Sequence, residues 1–206
     1  MDESKLIFLT GAPGSKWSAV SWVLSEALPV NKTDRTPDRL MVHKEAYNGV
    51  RHTGVYFGPG MELGHNFHRV NELSKEEILS EIQKGWPTWD DNLYHIVRCH
   101  QFINNFDWLV GTFSSSKFVV VTRRPEQCVA GWMSVGGIDI PYPIYKDYYV
   151  DNDNAERLIN KKQCWHKEHS GITRWILMWR AVAISNVSLD WKLQMKKAIL
   201  QSISVV

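Results

Sequence analysis

The segment Leu6 to Leu24, LIFLTGAPGSKWSAVSWVL, constrains the fold more than any other part of the chain. Leu6 to Thr10 is a short, apolar, β-prone run, and Gly11, Pro13 and Gly14 then break it. From Trp17 to Leu28 the apolar residues recur at helical spacing, with Val20, Val23, Leu24 and Ala27 on one face. A buried strand, a glycine-containing loop and a helix in immediate succession bring backbone N–H groups and the positive end of a helix to one point. Such a point suits a phosphate. Lys16 adds a full charge there, and Ser15 and Ser18 add hydroxyl donors.

Two further β-prone runs follow, Tyr94 to Cys99 and Phe118 to Thr122. Helices are expected between and after them. Ser74 with Glu77 forms a capping box for a helix over Lys75 to Lys84, and Pro125 stands in the first turn of another over Pro125 to Met133. Ala155 to Lys162, Ile172 to Ile184 and Leu189 to Ile203 also read as helices. Strands alternating with helices predict an α/β fold, a P-loop-like three-layer α/β/α sandwich around a central parallel sheet, with ligands at the C-terminal strand ends. One domain over residues 1–206 is expected, with excursions at about 29–70 and 136–154 where Gly, Pro and aromatic residues gather without a clear period.

The composition limits the partners. A net charge of +2, with 24 basic against 22 acidic residues, supplies no broad basic surface for nucleic acid or an anionic membrane, so any anion site is local. The apolar stretch around Trp175 to Val187 is interrupted by Arg180 and Asn186, well short of a membrane span. Three cysteines, Cys99, Cys128 and Cys164, make no disulfide framework, and the opening MDESKLIFLT shows no leader pattern, so a cytoplasmic protein is expected. The histidines and cysteine at His65, His68, Cys164, His166 and His169 lack zinc-finger or HExxH spacing, and no metal is expected. The oligomeric state is not legible.

The loop departs from the Walker pattern, because the residue five after Gly11 is Lys16 and the next is Trp17, where the pattern requires Gly and then Lys. It resembles instead the donor-phosphate loop of sulfotransferases, Gly-x-Pro-Arg/Lys-Ser-Gly-Thr-Thr, with Gly11, Pro13, Ser15 and Ser18 at matching places. Gly14 stands at the family's basic residue, Lys16 at its second glycine and Trp17 at a threonine. FVVVTRRPEQCVAGW is similar to the second sulfotransferase signature, with Arg123 at the arginine and Gly131 at the serine eight residues on. Ser134 lies nearly one helical turn beyond it. YHIVRCHQF resembles the Lys-Thr-His segment of cytosolic members, with Arg98 at the lysine, Cys99 at the threonine and His100 at the catalytic histidine. Members of that family commonly carry a later Arg-Lys-Gly segment, which has no counterpart here.

The resemblance implies transfer of a sulfuryl group from 3′-phosphoadenosine-5′-phosphosulfate to a hydroxyl of a small molecule or glycan, leaving adenosine 3′,5′-bisphosphate. It places the donor on the loop from Gly11 to Ser18, its 3′-phosphate at Arg123 with Gly131 or Ser134, and the acceptor proton on His100. Arg98 and Lys16 would stabilise the transferred group. An imidazole suits the base because its pKa lies near neutral pH. Glu45 and Glu62 are the alternative carboxylate bases, and HTGVYFGPGMELG is expected to form acceptor-pocket wall. Two other readings stand beside this one: a P-loop enzyme of phosphoryl transfer, and an inactive protein that retains a nucleotide pocket.

Overall fold

The computed structural model describes residues 1–34, 54–56, 67–139, 146, 149–168 and 176–180. Five parallel strands form one sheet in the order β2-β3-β1-β4-β5. They are β1 (Leu6–Gly11), β2 (Val55–Tyr56), β3 (His95–Arg98), β4 (Lys117–Thr122) and β5 (Ile176–Arg180). β1 lies at the centre and is buried along its whole length. That explains its unbroken apolar run, since a parallel strand covered on both faces has no polar side to show.

The sheet divides its residues by parity. Ile7, Leu9, Ile96, Val119 and Val121 face α1 (Trp17–Ala27), meeting Val20, Val23 and Leu24. Leu6, Phe8, Val97, Phe118 and Val120 face the opposite layer. There they meet Ile78 and Ile82 of α2 (Lys75–Gln83) and Phe106 and Leu109 of α3 (Phe106–Thr112). Phe8 anchors this side, stacked on Phe118 at 5.3 Å and set edge-on to Phe102 at 5.6 Å. A third cluster pairs α4 (Pro125–Met133) with α5 (Asn152–Glu168) through Cys128, Trp132, Ala155 and Ile159, and it reaches Ala12 of the loop. The result is the expected three-layer α/β/α arrangement.

Most elements fall where the sequence places them, including the capping box of α2, in which Ser74 accepts from the Glu77 backbone and Glu77 accepts from that of Ser74. Ile172 to Ile184 is a correction: Ile176–Arg180 is a strand on the open side of β4, not part of a helix. A short apolar run has no period that separates a buried strand from a buried helix, and the edge of β4 decides the matter. α5 begins at Asn152, before the expected start, because Asp151 accepts from the Asn154 backbone at 2.8 Å as an N-cap. The helix expected over Leu189 to Ile203 lies outside the described residues, as do Glu45, Glu62 and His65.

At the N-terminal edge of the sheet, His95 is buried between Trp89, stacked at 3.6 Å, and the edge of Trp86 at 4.9 Å. Asn31 orders the contact: its Oδ1 accepts from Thr33, which directs its Nδ2 to Thr88 O and to His95 Nε2 at 3.2 Å. Burial pushes the imidazole pKa down to about 4, against the pull of Asp91 and Asp90. The unfolded chain therefore binds this proton below about pH 6.5 while the folded chain binds it only near 4. Stability is full above 6.5 and falls as the pH drops towards 4, by up to about 3 kcal/mol from this group. Urea unfolding at pH 7 and pH 4.5 should show the loss, and His95→Gln should shrink it. An equal loss in that variant would assign the acid sensitivity to other groups.

Candidate functional site

β1 continues into α1 on one face of the sheet, whereas β3 continues towards α3 on the other. Their C-terminal ends therefore part, and the crevice between neighbouring strands that diverge in this way is where open α/β sheets bind ligands. The loop after β1, the turn after β3 and the end of β4 meet there.

Two residues of the loop adopt the left-handed backbone conformation, Gly14 at φ 74 and Lys16 at φ 70. For a lysine that conformation costs about 1–2 kcal/mol. Lys16 occupies the position at which the resembling pattern carries glycine, which would adopt it without strain. It is exposed and forms the N-cap of α1 with no side-chain cap bond, so no side chain of its own satisfies the first turn. The Ser15 backbone closes a turn on Ala12 O at 3.0 Å, and its side-chain hydroxyl is buried without a hydrogen-bond partner among the described residues. A Cβ on Gly11 would stand 2.7 Å from that hydroxyl and 2.9 Å from Val121 O, a backbone atom of β4, so a side chain at 11 would displace the loop or the strand. Pro13 is buried, and Ser18 is half-buried in the first turn of α1.

His100 is brought to this loop by a hydrogen bond between its Nδ1 and Gly11 O. The carbonyl accepts, so Nδ1 carries a proton and donates to it. Trp17 covers one face of the imidazole, with ring centroids 3.9 Å apart, and Tyr56 meets it edge-on at 5.5 Å. Arg98 is buried and donates to Gly54 O at 3.1 Å, with its guanidinium 5.4 Å from the Trp17 ring. The Trp17 ring thus lies against both Arg98 and His100.

Arg123 reaches the loop from the end of β4, donating through Nη1 to Gly14 O at 2.9 Å. Gly131 lies directly beneath that guanidinium. Ser134 is exposed at the C-terminal end of α4 and its hydroxyl donates to Gly131 O at 3.0 Å. Cys128 is inert here: burial pushes its thiol up to about 12 even though the Arg123 charge opposes it.

Gly11, Gly14, Ser15, Lys16, Trp17, His100, Arg98, Arg123 and Gly131 thus form one connected group. Tyr56 and Gly54 join it without having been singled out by residue, although both lie in the aromatic, glycine-rich segment expected to wall the site. The remainder of that segment lies outside the described residues, apart from Val55.

No protein-family model matches the chain, and no curated protein matches it. Among solved structures, the crystal structure of TT1252 from Thermus thermophilus is similar at 16% identity and a TM-score of 0.41, over 97% of each chain. No helix among the described residues is long and apolar enough to cross a membrane.

Proposed function

We propose that the chain is a sulfotransferase that takes 3′-phosphoadenosine-5′-phosphosulfate as donor and a hydroxyl group as acceptor. The observation that carries this reading is the bond from His100 Nδ1 to Gly11 O. It joins a base to the first glycine of an anion loop across 89 residues of sequence, and sulfuryl transfer needs those two functions side by side. The buried Ser15 hydroxyl and the uncapped first turn of α1 supply neutral donors to the sulfate and phosphate oxygens, and Lys16 supplies charge.

In this mechanism the acceptor oxygen attacks sulfur while its proton passes to His100 Nε2, and the bond from sulfur to the bridging phosphate oxygen breaks. Trp17 stacks on the face of the imidazole and so helps to fix the plane of the ring. Arg98, which cannot give up its proton, stabilises charge rather than donating an acid. Arg123 is the cation for the 3′-phosphate. A magnesium-dependent phosphoryl transfer is disfavoured, because the Ser/Thr that would follow a loop lysine and hold the ion is Trp17, whose ring is engaged with His100.

Thermal shift separates the readings. Adenosine 3′,5′-bisphosphate at about 100 times its dissociation constant should stabilise the protein by about 2.7 kcal/mol, and ATP with magnesium by less. Equal shifts with adenosine 5′-monophosphate would remove the case for a 3′-phosphate site. Stabilisation by the bisphosphate with no transfer to any alcohol, phenol or sugar would leave a binding protein.

A further inference from the structure

The anion loop does not merely follow β1; it is seated on the backbone of α4. A Cβ placed on Gly14 would lie 2.0 Å from Cys128 O, so at this point the loop and the helix touch main chain to main chain. Arg123 spans the same junction through its bond to Gly14 O. A Cβ on Gly131 would come within 3.1 Å of Arg123 Nη1, the nitrogen that makes this bond, and 3.7 Å from Gly14 O. The guanidinium therefore reaches the loop through space that a side chain at 131 would crowd.

We propose that Arg123, besides bringing charge to the 3′-phosphate, is a strut that holds the anion loop in its binding conformation, and that Gly131 is present because the strut passes over it. The loop needs such support, since Lys16 is held in a strained left-handed conformation two residues after Gly14. Backbone N–H groups converge on an anion only while that alternation of conformations is kept. A hydrogen bond from a charged guanidinium to Gly14 O fixes the first of the two left-handed residues from outside the loop. A serine at 131 would not complete a phosphate clamp in this chain. It would push Nη1 off Gly14 O and loosen the loop.

Amide hydrogen exchange tests the strut without any ligand. Ser15 N is bonded to Ala12 O, and Ala19 N and Val20 N to Lys16 O, so these amides report on loop closure. In Gly131→Ala, Gly131→Ser and Arg123→Gln they should exchange about tenfold faster or more, and Arg124→Gln should leave them unchanged. Gly131→Ala should have an equal or higher Tm, because alanine favours the helix more than glycine does. A fold that is no less stable around a looser loop is what a general packing defect does not produce. The double variant Gly131→Ala with Arg123→Gln should be no worse than the stronger single one, as both remove one contact. Unchanged exchange at Ser15 and Ala19 in Gly131→Ala would overturn the strut.

The ligand arm rests on the donor reading: the dissociation constant for adenosine 3′,5′-bisphosphate should rise in Gly131→Ser as it does in Arg123→Gln. Tighter binding by Gly131→Ser would show that the added hydroxyl joins Arg123 in a phosphate site, and would also overturn the strut. Faster exchange in the variants of a protein that binds no bisphosphate would uphold the strut and discard the donor reading.

Discussion

His100→Asn should lower the rate of sulfuryl transfer by about a hundredfold or more while leaving affinity for adenosine 3′,5′-bisphosphate within about threefold. Asparagine is the informative replacement because its side-chain amide can still donate to Gly11 O, as Nδ1 does, yet has no lone pair basic enough to take the acceptor proton. His100→Ala would mix two effects, since it removes the hydrogen bond to Gly11 O and leaves a gap beneath the Trp17 ring. Its Tm should fall, and that of the asparagine variant much less. Retention of the rate within tenfold would move the base elsewhere. Glu45→Ala and Glu62→Ala, tested in the same assay, would then show whether a carboxylate of the 29–70 excursion does this work.

The layered fold was legible because its signals are local. β1, β3 and β4 are largely apolar runs that end at Gly11, Arg98 and Thr122, and the capping box of α2 and the Pro125 start of α4 are written in nearby residues. β5 was not legible, because its strand character comes from the edge of β4 and not from any period in Ile176–Arg180. β2 escaped for a related reason. Val55–Tyr56 is two residues long and is ordered by pairing with Val97 and Arg98, more than 40 residues away in sequence.

The site was legible as an ordered set of residues but not as a set of contacts. The resemblance to sulfotransferase segments brought out Gly11, His100 and Arg123, yet nothing in the sequence says that His100 bonds to Gly11 O or that Arg123 bonds to Gly14 O. Gly14 and Gly131 read as losses when each is compared with a family position carrying a side chain. In the fold they share one origin: the loop lies so close to α4 that there is no room for a Cβ at 14 and little at 131. Lys16 shows the opposite case, a charged side chain at a φ of 70 that glycine would accept freely, which is the local cost of keeping a cation on the loop.

Gly14→Lys puts a basic residue where the resembling loop pattern has one, and it should damage the protein rather than improve it. At φ 74 any side chain strains the backbone by about 1–2 kcal/mol. The new Cβ would also fall 2.0 Å from Cys128 O, a backbone atom of α4 that cannot turn aside as a flexible side chain would. Relieving that overlap by moving the loop or the helix adds about 1–3 kcal/mol, so the total loss of stability is about 2–5 kcal/mol. Gly14→Ala should lose nearly as much, since the clash begins at Cβ and the rest of the lysine chain adds little to it. Urea unfolding of the two variants measures the loss, and thermal shift with adenosine 3′,5′-bisphosphate should show that neither binds, because displacing Gly14 also takes its carbonyl from Arg123. Wild-type stability in Gly14→Lys together with tighter donor binding would mean that the loop stands clear of α4 and that the basic residue has regained a phosphate. That result would dismantle the seating of the loop on the helix, on which the roles given to Arg123 and Gly131 depend.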